Sequence, residues 1–210
     1  MINILIADDH TILREGLKRI LSSSSDMAVT GEAANAKEVL SLVSKNNFDV
    51  ILLDISMPGR SGLEIIREIK SYNKNCSVLV LSSYPEDQYA LRVLKAGASG
   101  YLTKESASEK LIDAIKKVSV GGKYLSPFVA EMLAFEFDGD INKEPHEKLS
   151  DREYQVMCMI ASGKSVSDIA RELSLSVKTI SANRARILTK MKMKNNAEIT
   201  HYAIKESLVS

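Results

Sequence analysis

Phe48-Asp49-Val50-Ile51-Leu52-Leu53-Asp54-Ile55-Ser56-Met57-Pro58-Gly59 is the stretch that decides the fold. Four apolar residues, Val50 to Leu53, run without a break into a carboxylate, and a Pro-Gly breaker follows. A short unbroken apolar run reads as a strand buried on both faces, the kind found in parallel sheets. In open parallel sheets, reactive groups gather at the carboxyl ends of the strands. Asp54 occupies such an end. An aspartate can also do no more than stop a strand, so its neighbours have to decide.

On either side of this run, apolar strands alternate with helical patterns through the first 120 residues. Strands are predicted at 2–7, 27–33, 49–53, 77–81 and 99–102. Helices are predicted at 11–21, 36–45, 63–71, 88–95 and 108–120, the fourth ended by Gly97 and the last by Gly121-Gly122. Five strand-helix repeats of this length imply an α/β domain with a doubly wound, five-stranded parallel sheet and right-handed crossovers.

What stands at the strand ends is chemically specific. The first strand runs into Asp8-Asp9, the third into Asp54, the fourth into Ser82 and the fifth into Lys104. Taken singly, these are a helix cap, a strand stop, a turn residue and a solvated cation. Together they bring three carboxylates, a hydroxyl and an ammonium to one rim. Packed acids repel one another unless a cation intervenes, and hard Mg²⁺ takes carboxylate oxygens. With such an ion present, Asp54 can attack a phosphoryl group to form an aspartyl phosphate. The ion, Lys104 and Ser82 would share the charge on the phosphoryl oxygens.

Asp8-Asp9-His10, Leu52-Leu53-Asp54-Ile55-Ser56-Met57-Pro58-Gly59, Leu81-Ser82-Ser83 and Gly97-Ala98-Ser99-Gly100-Tyr101-Leu102-Thr103-Lys104 resemble a bacterial response-regulator receiver domain of flavodoxin/CheY-like fold. The resemblance implies that Asp54 is the phosphoacceptor. It also implies that Asp8 and Asp9 hold Mg²⁺ with Asp54 and the Ile55 carbonyl, and that Ser82 and Tyr101 form a switch pair. On phosphorylation Ser82 would turn toward the phosphate, and Tyr101 would swing into the space vacated. Ser82 stands where Thr is common, and Glu105 where Pro is common. His10 reads as a loop residue, not a ligand.

Hydrophobic residues make up 45% and charged residues 26%, the balance of an ordinary globular protein. No apolar run approaches the roughly 18 residues needed to span a bilayer, and Met1 to Ile6 carries no basic leader, so a cytoplasmic protein is expected. Cys76 and Cys158 lie far apart in apolar segments and read as reduced structural thiols. Charge is uneven: residues 121–148 carry 3 basic against 6 acidic side chains, and residues 149–210 carry 10 against 6. A local basic excess suits a polyanionic partner. Residues 121–148 read as a linker, with a helical segment opened by Ser126-Pro127 and a tether from Asp138 to Lys148 containing Gly139 and Pro145.

In residues 149–210, Ser150-Asp151-Arg152-Glu153 is a capping box stapled by Leu149 and Tyr154. A second helix is predicted from Ser165 to about Leu173. After a turn, Ser176 caps a third helix to about Met191, which fits a helix-turn-helix. Ile180, Ile187, Leu188 and Met191 share one face of that third helix with the stem of Arg184. Lys178, Ala182, Ala185 and Arg186 lie on the other, with Ser181 and Lys190 at its flanks. Small residues among cations allow a helix to enter a major groove while its charges meet phosphates, although a solvated face has the same composition. A fourth helix after Asn195-Asn196 has two apolar stripes, Ile199-Tyr202-Ala203 and Ala197-Ile204-Leu208. One can pack inward, and the other is left for self-association.

Leu149-Ser150-Asp151-Arg152-Glu153, Ile169-Ala170-Arg171-Glu172-Leu173, Ser176-Val177-Lys178-Thr179-Ile180-Ser181 and Arg186-Ile187-Leu188-Thr189-Lys190-Met191 resemble the LuxR-type helix-turn-helix domain. With the receiver, the chain is similar to the NarL/FixJ response regulators over almost its whole length. The resemblance implies that Ser181, Ala182 and Ala185 face base edges, and that Lys178, Thr179, Arg184, Arg186 and Lys190 serve the backbone. The expected organisation is a receiver at 1–120, a linker at 121–148 and an all-α four-helix domain at 149–210. The expected function is transcription regulation switched by a sensor histidine kinase acting on Asp54, with a homodimer on two-fold symmetric double-stranded DNA and no membrane partner. The protein is not expected to be an enzyme, since no second acid stands near Asp54 for the turnover that a Mg²⁺-dependent phosphohydrolase needs. A receiver acting without phosphate, as a fixed dimerisation module, is the alternative.

Overall fold

The computed structural model describes residues 1–57, 60, 62–138 and 144–209, with the backbone alone for 135–138. The Pro58-Gly59 breaker and the centre of the tether, 139–143, lie outside the described residues. The chain divides into two compact units, Met1–Phe135 and Glu136–Ser210.

In the first unit β1 (Ile2–Ala7), α1 (Thr11–Leu21), β2 (Met27–Ala33), α2 (Ala36–Val43), β3 (Val50–Asp54), α3 (Gly62–Tyr72), β4 (Ser77–Ser82), α4 (Glu86–Lys95), β5 (Gly100–Thr103) and α5 (Ala107–Ser119) alternate as the apolar pattern requires. The strands form one parallel sheet in the order β2-β1-β3-β4-β5. Its central strands are apolar throughout because both of their faces are covered. Ile4, Leu5 and Ile6, Val50 to Leu53 and Val78 to Leu81 are all buried. On one face Ile4, Ile6, Val50, Leu52, Leu79 and Leu81 meet Leu17 and Leu21 of α1 and Leu111, Ile115 and Val118 of α5. The intervening strand residues point to the opposite face by the period of two, where α2, α3 and α4 bury Val39, Ile65, Ile66, Ile69 and Val93. Each of these side chains contributes roughly 1.5–3 kcal/mol on burial, before the entropy of ordering it.

Register carries this packing to the functional rim. Ala7 pairs with Leu53, Leu53 with Val80, Asp54 with Leu81, and Ser82 with Thr103. The residues that follow or end the strands are therefore level with one another. The strand order reverses between β1 and β3, where α/β sheets open a crevice, and Asp8 and Asp54 stand on its two sides. The floor of that crevice depends on Gly62: a Cβ there would meet the Ile55 Cα at 2.5 Å. Gly62→Ala is expected to cost about 1–3 kcal/mol and to displace the backbone beside Asp54. Denaturant midpoints of the two proteins check this.

The stretch 121–148 is built into folded structure at both ends. The Tyr124 amide donates to the Ser99 carbonyl and Lys123 to that of Ala98, at 2.8 and 2.6 Å, while Ser126 hydrogen-bonds Glu86 of α4. Helix α6 (Pro127–Asp138) follows, with Val129 buried. At the far end, Pro145–Lys148 forms a 3₁₀ turn, and His146 Nδ1 lies 2.8 Å from the Tyr202 hydroxyl.

In the second unit α7 (Asp151–Ala161), α8 (Val166–Glu172), α9 (Val177–Met191) and α10 (Asn196–Lys205) each start on a side-chain cap: Ser150, Ser165, Ser176 and Asn195. Such caps satisfy amides that have no partner within the helix, each worth about 1 kcal/mol. At Ser150 the reciprocal capping box with Glu153 is complete. Among the described residues no helix is long and apolar enough to cross a membrane.

Candidate functional site

The ends of β1 and β3 bring Asp8 and Asp54 together, both almost fully buried, with Asp9 at the rim. The residue after β5 completes the group. Lys104 Nζ lies 2.7 Å from Asp54 Oδ2 and 2.8 Å from Asp8 Oδ2. Its backbone amide donates to the Ser82 carbonyl at 2.8 Å, which fixes the loop after β5 to β4. Glu105, in the place where Pro is common, does not loosen this loop, because the Ser106 amide donates to the Thr103 carbonyl at 3.1 Å and its hydroxyl does the same. The Ser56 amide donates to Asp54 Oδ1 at 2.7 Å and holds the carboxylate in one orientation.

Two buried carboxylates therefore share one ammonium, with Asp9 beside them at the rim. Burial pushes the Asp54 carboxyl above its ordinary range, against the pull of Lys104. Burial acts to lower Lys104, but the attraction of Asp54 and Asp8 outweighs it and holds the ammonium above its ordinary value. Asp8 Oδ2 and Asp9 Oδ1 accept no well-formed hydrogen bond, although they lie beside Lys104 and His10 respectively. Acidic oxygens that are buried, converging and only partly neutralised fit a hard divalent cation such as Mg²⁺. Asp8, Asp9, His10 and Asp54 offer ligand atoms that all lie within 4.8 Å of one another.

His10 is more than the loop residue read from the sequence. Its amide donates to Asp8 Oδ1 at 2.8 Å, and its Nδ1 lies 3.1 Å from both Asp8 Oδ1 and Asp9 Oδ1. Arg14, unmarked in the sequence, donates from Nη1 to the Asp8 carbonyl at 2.7 Å. His10 could have been noticed as the residue next to the acid pair. Arg14 lies one helical turn further on and gave no signal.

Ser82 and Tyr101 are both buried, and both bind the backbone of Tyr84. The Ser82 hydroxyl accepts from the Tyr84 amide at 3.1 Å, and the Tyr101 hydroxyl donates to the Tyr84 carbonyl at 2.7 Å. Burial raises the Tyr101 phenol well above its ordinary range and keeps it neutral. The ring is buried, with its hydroxyl tied to the backbone of Tyr84. Ile55 is buried directly after Asp54, with its backbone against Gly62.

In the second unit, α9 separates its faces cleanly. Ile180, Asn183, Ile187 and Met191 are buried, while Lys178, Thr179, Ser181, Ala182, Ala185, Arg186 and Lys190 are exposed. Three of the cations expected at phosphates have partners inside the domain, the most weakly held being Arg186, whose Nη1 donates to Asn183 Oδ1 at 3.5 Å. Arg184 is half-buried, and its Nε donates to Asn196 Oδ1 at 2.6 Å. Lys190 Nζ lies 2.6 Å from the buried Oε2 of Glu153. Burial alone would raise the Glu153 carboxyl, but the hydrogen bonds from Lys190 and Ser150 bring it below its ordinary value. Lys178 and Arg186 are the outward cations at either end of the Ser181-Ala182-Ala185 surface. On α10, Ile199 and Ala203 pack inward, and Ile204 and Ala197 are exposed. Leu208 departs from the expected second stripe: its amide donates back to the Ala203 carbonyl at 2.7 Å, and the chain reversal buries it.

The family described as response regulator receiver domain matches residues 4–116, and that of bacterial regulatory proteins, luxR family, matches residues 147–203. The response regulator UvrY of Escherichia coli is 35% identical over 209 residues, covering 99% of this chain and 96% of UvrY. The response regulator GacA of Pseudomonas aeruginosa is 35% identical over 210 residues, covering 100% and 98%. Among solved structures, RcsB of Salmonella enterica serovar Typhimurium, bound to promoter rprA in the presence of phosphomimetic BeF₃⁻, is 26% identical. That alignment covers 96% of this chain and 97% of RcsB, with a TM-score of 0.62. RcsB has also been solved as two dimers bound to two parallel DNAs, at 27% identity and a TM-score of 0.59, covering 100% of this chain and 99% of RcsB.

Proposed function

The chain belongs to the NarL/FixJ family of two-component response regulators, joining a receiver to a DNA-binding LuxR-type domain, and on that footing we propose that Mg²⁺-dependent phosphorylation of Asp54 by a sensor histidine kinase in the cytoplasm controls DNA binding by its α9 helix. The observation that carries this reading is the buried Asp54 carboxylate, level with Asp8 and Ser82 and paired to Lys104 at 2.7 Å. An oxygen of Asp54 attacks phosphorus, the bond from phosphorus to the donor histidine nitrogen breaks, and that nitrogen leaves with the electron pair. Lys104 is placed to pair with a phosphoryl oxygen once Asp54 has spent its charge on the new bond. Ser82 gives up the Tyr84 amide to donate its hydroxyl to another phosphoryl oxygen, which frees the Tyr84 backbone that Tyr101 also holds. Asp8, Asp9, Asp54 and the Ile55 carbonyl would hold Mg²⁺, which supplies positive charge against the phosphoryl oxygens. A conformational pair biased by a new dianion is a sufficient switch.

For DNA, Ser181, Ala182 and Ala185 are proposed to meet base edges and Lys178, Thr179 and Arg186 the phosphates. A homodimer on a two-fold symmetric site suits two copies of α9. Arg186→Ala is expected to weaken binding across DNA sequences and to reduce the salt slope by about one phosphate contact. Lys190→Ala is expected to leave most of that slope in place and to lower the domain's stability by up to about 1 kcal/mol, because the surface-facing lysine is bound to Glu153. Salt titrations and thermal melts of both variants separate the roles.

Light scattering with Mg²⁺ alone and with Mg²⁺ plus beryllofluoride, which stands in for the phosphoryl group on Asp54, tests the switch. A monomer that becomes a dimer supports it. A dimer under both conditions argues against phosphate gating through assembly.

A further inference from the structure

The receiver site holds a donor that the carboxylate reading does not use, and we propose that His10 is a direct metal ligand whose imidazole biases this site toward a borderline divalent cation such as Mn²⁺ over Mg²⁺. The proposal rests on the assignment of Asp8, Asp9 and Asp54 as the divalent-cation site. His10 Nδ1 lies 3.1 Å from one oxygen of Asp8 and 3.1 Å from one oxygen of Asp9. Adjacent ligands on an octahedron with bonds of about 2.1–2.2 Å are separated by about 3.0–3.1 Å. The nitrogen therefore stands at the spacing of a neighbouring ligand from two carboxylates at once, and all four donors fall within 4.8 Å of one another.

Three further features favour ligation over a purely hydrogen-bonded role. The His10 amide is bound to Asp8 Oδ1 at 2.8 Å, so the residue is held beside the acid pair by its backbone as well as by its ring. Asp8, 2% exposed, has Lys104 on its second oxygen, which leaves the first facing His10. The ring itself is mostly exposed, its side chain at 67%, so it can turn its lone pair inward without disturbing the core. Imidazole adds little to Mg²⁺ affinity but strengthens binding of first-row transition ions, in the Irving–Williams order.

The test uses Mn²⁺ itself on the full chain. Pulsed EPR of the Mn²⁺-loaded protein is expected to show ¹⁴N coupling that changes on ¹⁵N-histidine labelling and is absent from His10→Ala. By calorimetry, His10→Ala is expected to lose about tenfold in Mn²⁺ affinity while Mg²⁺ affinity stays within about twofold. Mn²⁺ bound without histidine coupling, or equal weakening of both ions, overturns the proposal and leaves the carboxylate site standing. Mn²⁺ binding that survives in Asp9→Asn and Asp54→Asn overturns the carboxylate assignment itself.

Discussion

Asp54→Asn is expected to abolish phosphoryl uptake from acetyl phosphate in the presence of Mg²⁺, with the fold retained, as read by intact-protein mass spectrometry. The amide is close in size to the carboxylate but cannot act as the attacking oxygen, and it removes one of the oxygens proposed to hold Mg²⁺. Uptake that persists at the wild-type level would remove Asp54 from the mechanism. The same variant has an opposite effect on stability. Burial raises the Asp54 carboxyl in the folded protein, so the native state holds this proton more tightly than the unfolded chain does. The corresponding stability is fully present below the unfolded value and is lost as pH rises through the folded one. Without metal, the wild type is thus expected to lose stability on leaving the acid range, and Asp54→Asn to lose less. Melting curves at pH 5 and pH 8 in the presence of a chelator check the sign. A catalytic carboxylate whose removal stabilises the resting fold is the expected signature of a site that stores repulsion.

Lys104→Ala is the second large effect. The side chain is only 16% exposed and its ammonium serves two carboxylates that are almost fully buried, at 2.7 and 2.8 Å. Removing one partner of a buried pair leaves an uncompensated charge, at a cost of about 3–5 kcal/mol; here two acids lose their shared cation. The metal-free variant is expected to lose about 3 kcal/mol by urea denaturation, with an unchanged slope, and Mg²⁺ is expected to recover part of it. The double variant Lys104→Ala/Asp54→Asn should be less damaged than the sum of the single ones, with a coupling of about 1–3 kcal/mol. Additive losses would place Lys104 outside the acidic site. Phosphoryl uptake should slow in Lys104→Ala even where stability is restored by Mg²⁺, because the cation facing the phosphoryl oxygens is gone.

Much of this fold was legible because its signals are local. Val50 to Leu53 reads as a doubly buried strand from four consecutive apolar residues, and all four are buried. Ser150, Ser165, Ser176 and Asn195 announce their helices through hydrogen bonds that close within three residues. The acidic rim was legible for a different reason. Parallel strands of similar length end at one level, so the residues just past each apolar run had to converge.

Most of the readings that changed depend on partners distant in sequence or on chain reversals. Lys190 looks free in a helical wheel, but Glu153, 37 positions away, holds it. Arg184 is drawn inward by Asn196 at the start of the next helix. Leu208 continues an exposed stripe only if α10 continues, and α10 ends at Lys205, with Ser207 at φ 54° turning the chain back. The tether loses its last residues to the second unit because Tyr202 offers His146 a hydrogen bond across 56 positions. That tyrosine is pushed up to about 12, first by burial, and stays a neutral partner across the working range. His10 is the exception: its partners Asp8 and Asp9 are its chain neighbours, and its place after the acid pair is the signal that marks it.

The central claim is that a phosphoryl group on Asp54 changes what α9 does. The most direct measurement is the dissociation constant of the full chain for a DNA fragment enriched from a random pool by beryllofluoride-treated protein. It is read by fluorescence anisotropy at one fixed salt concentration, with Mg²⁺ alone and with Mg²⁺ plus beryllofluoride. Binding at least about tenfold tighter with beryllofluoride, a coupling of about 1.4 kcal/mol, is the predicted result, and Asp54→Asn should not respond. Equal affinity under the two conditions would contradict the account and leave the receiver as a dimerisation module that works without phosphate.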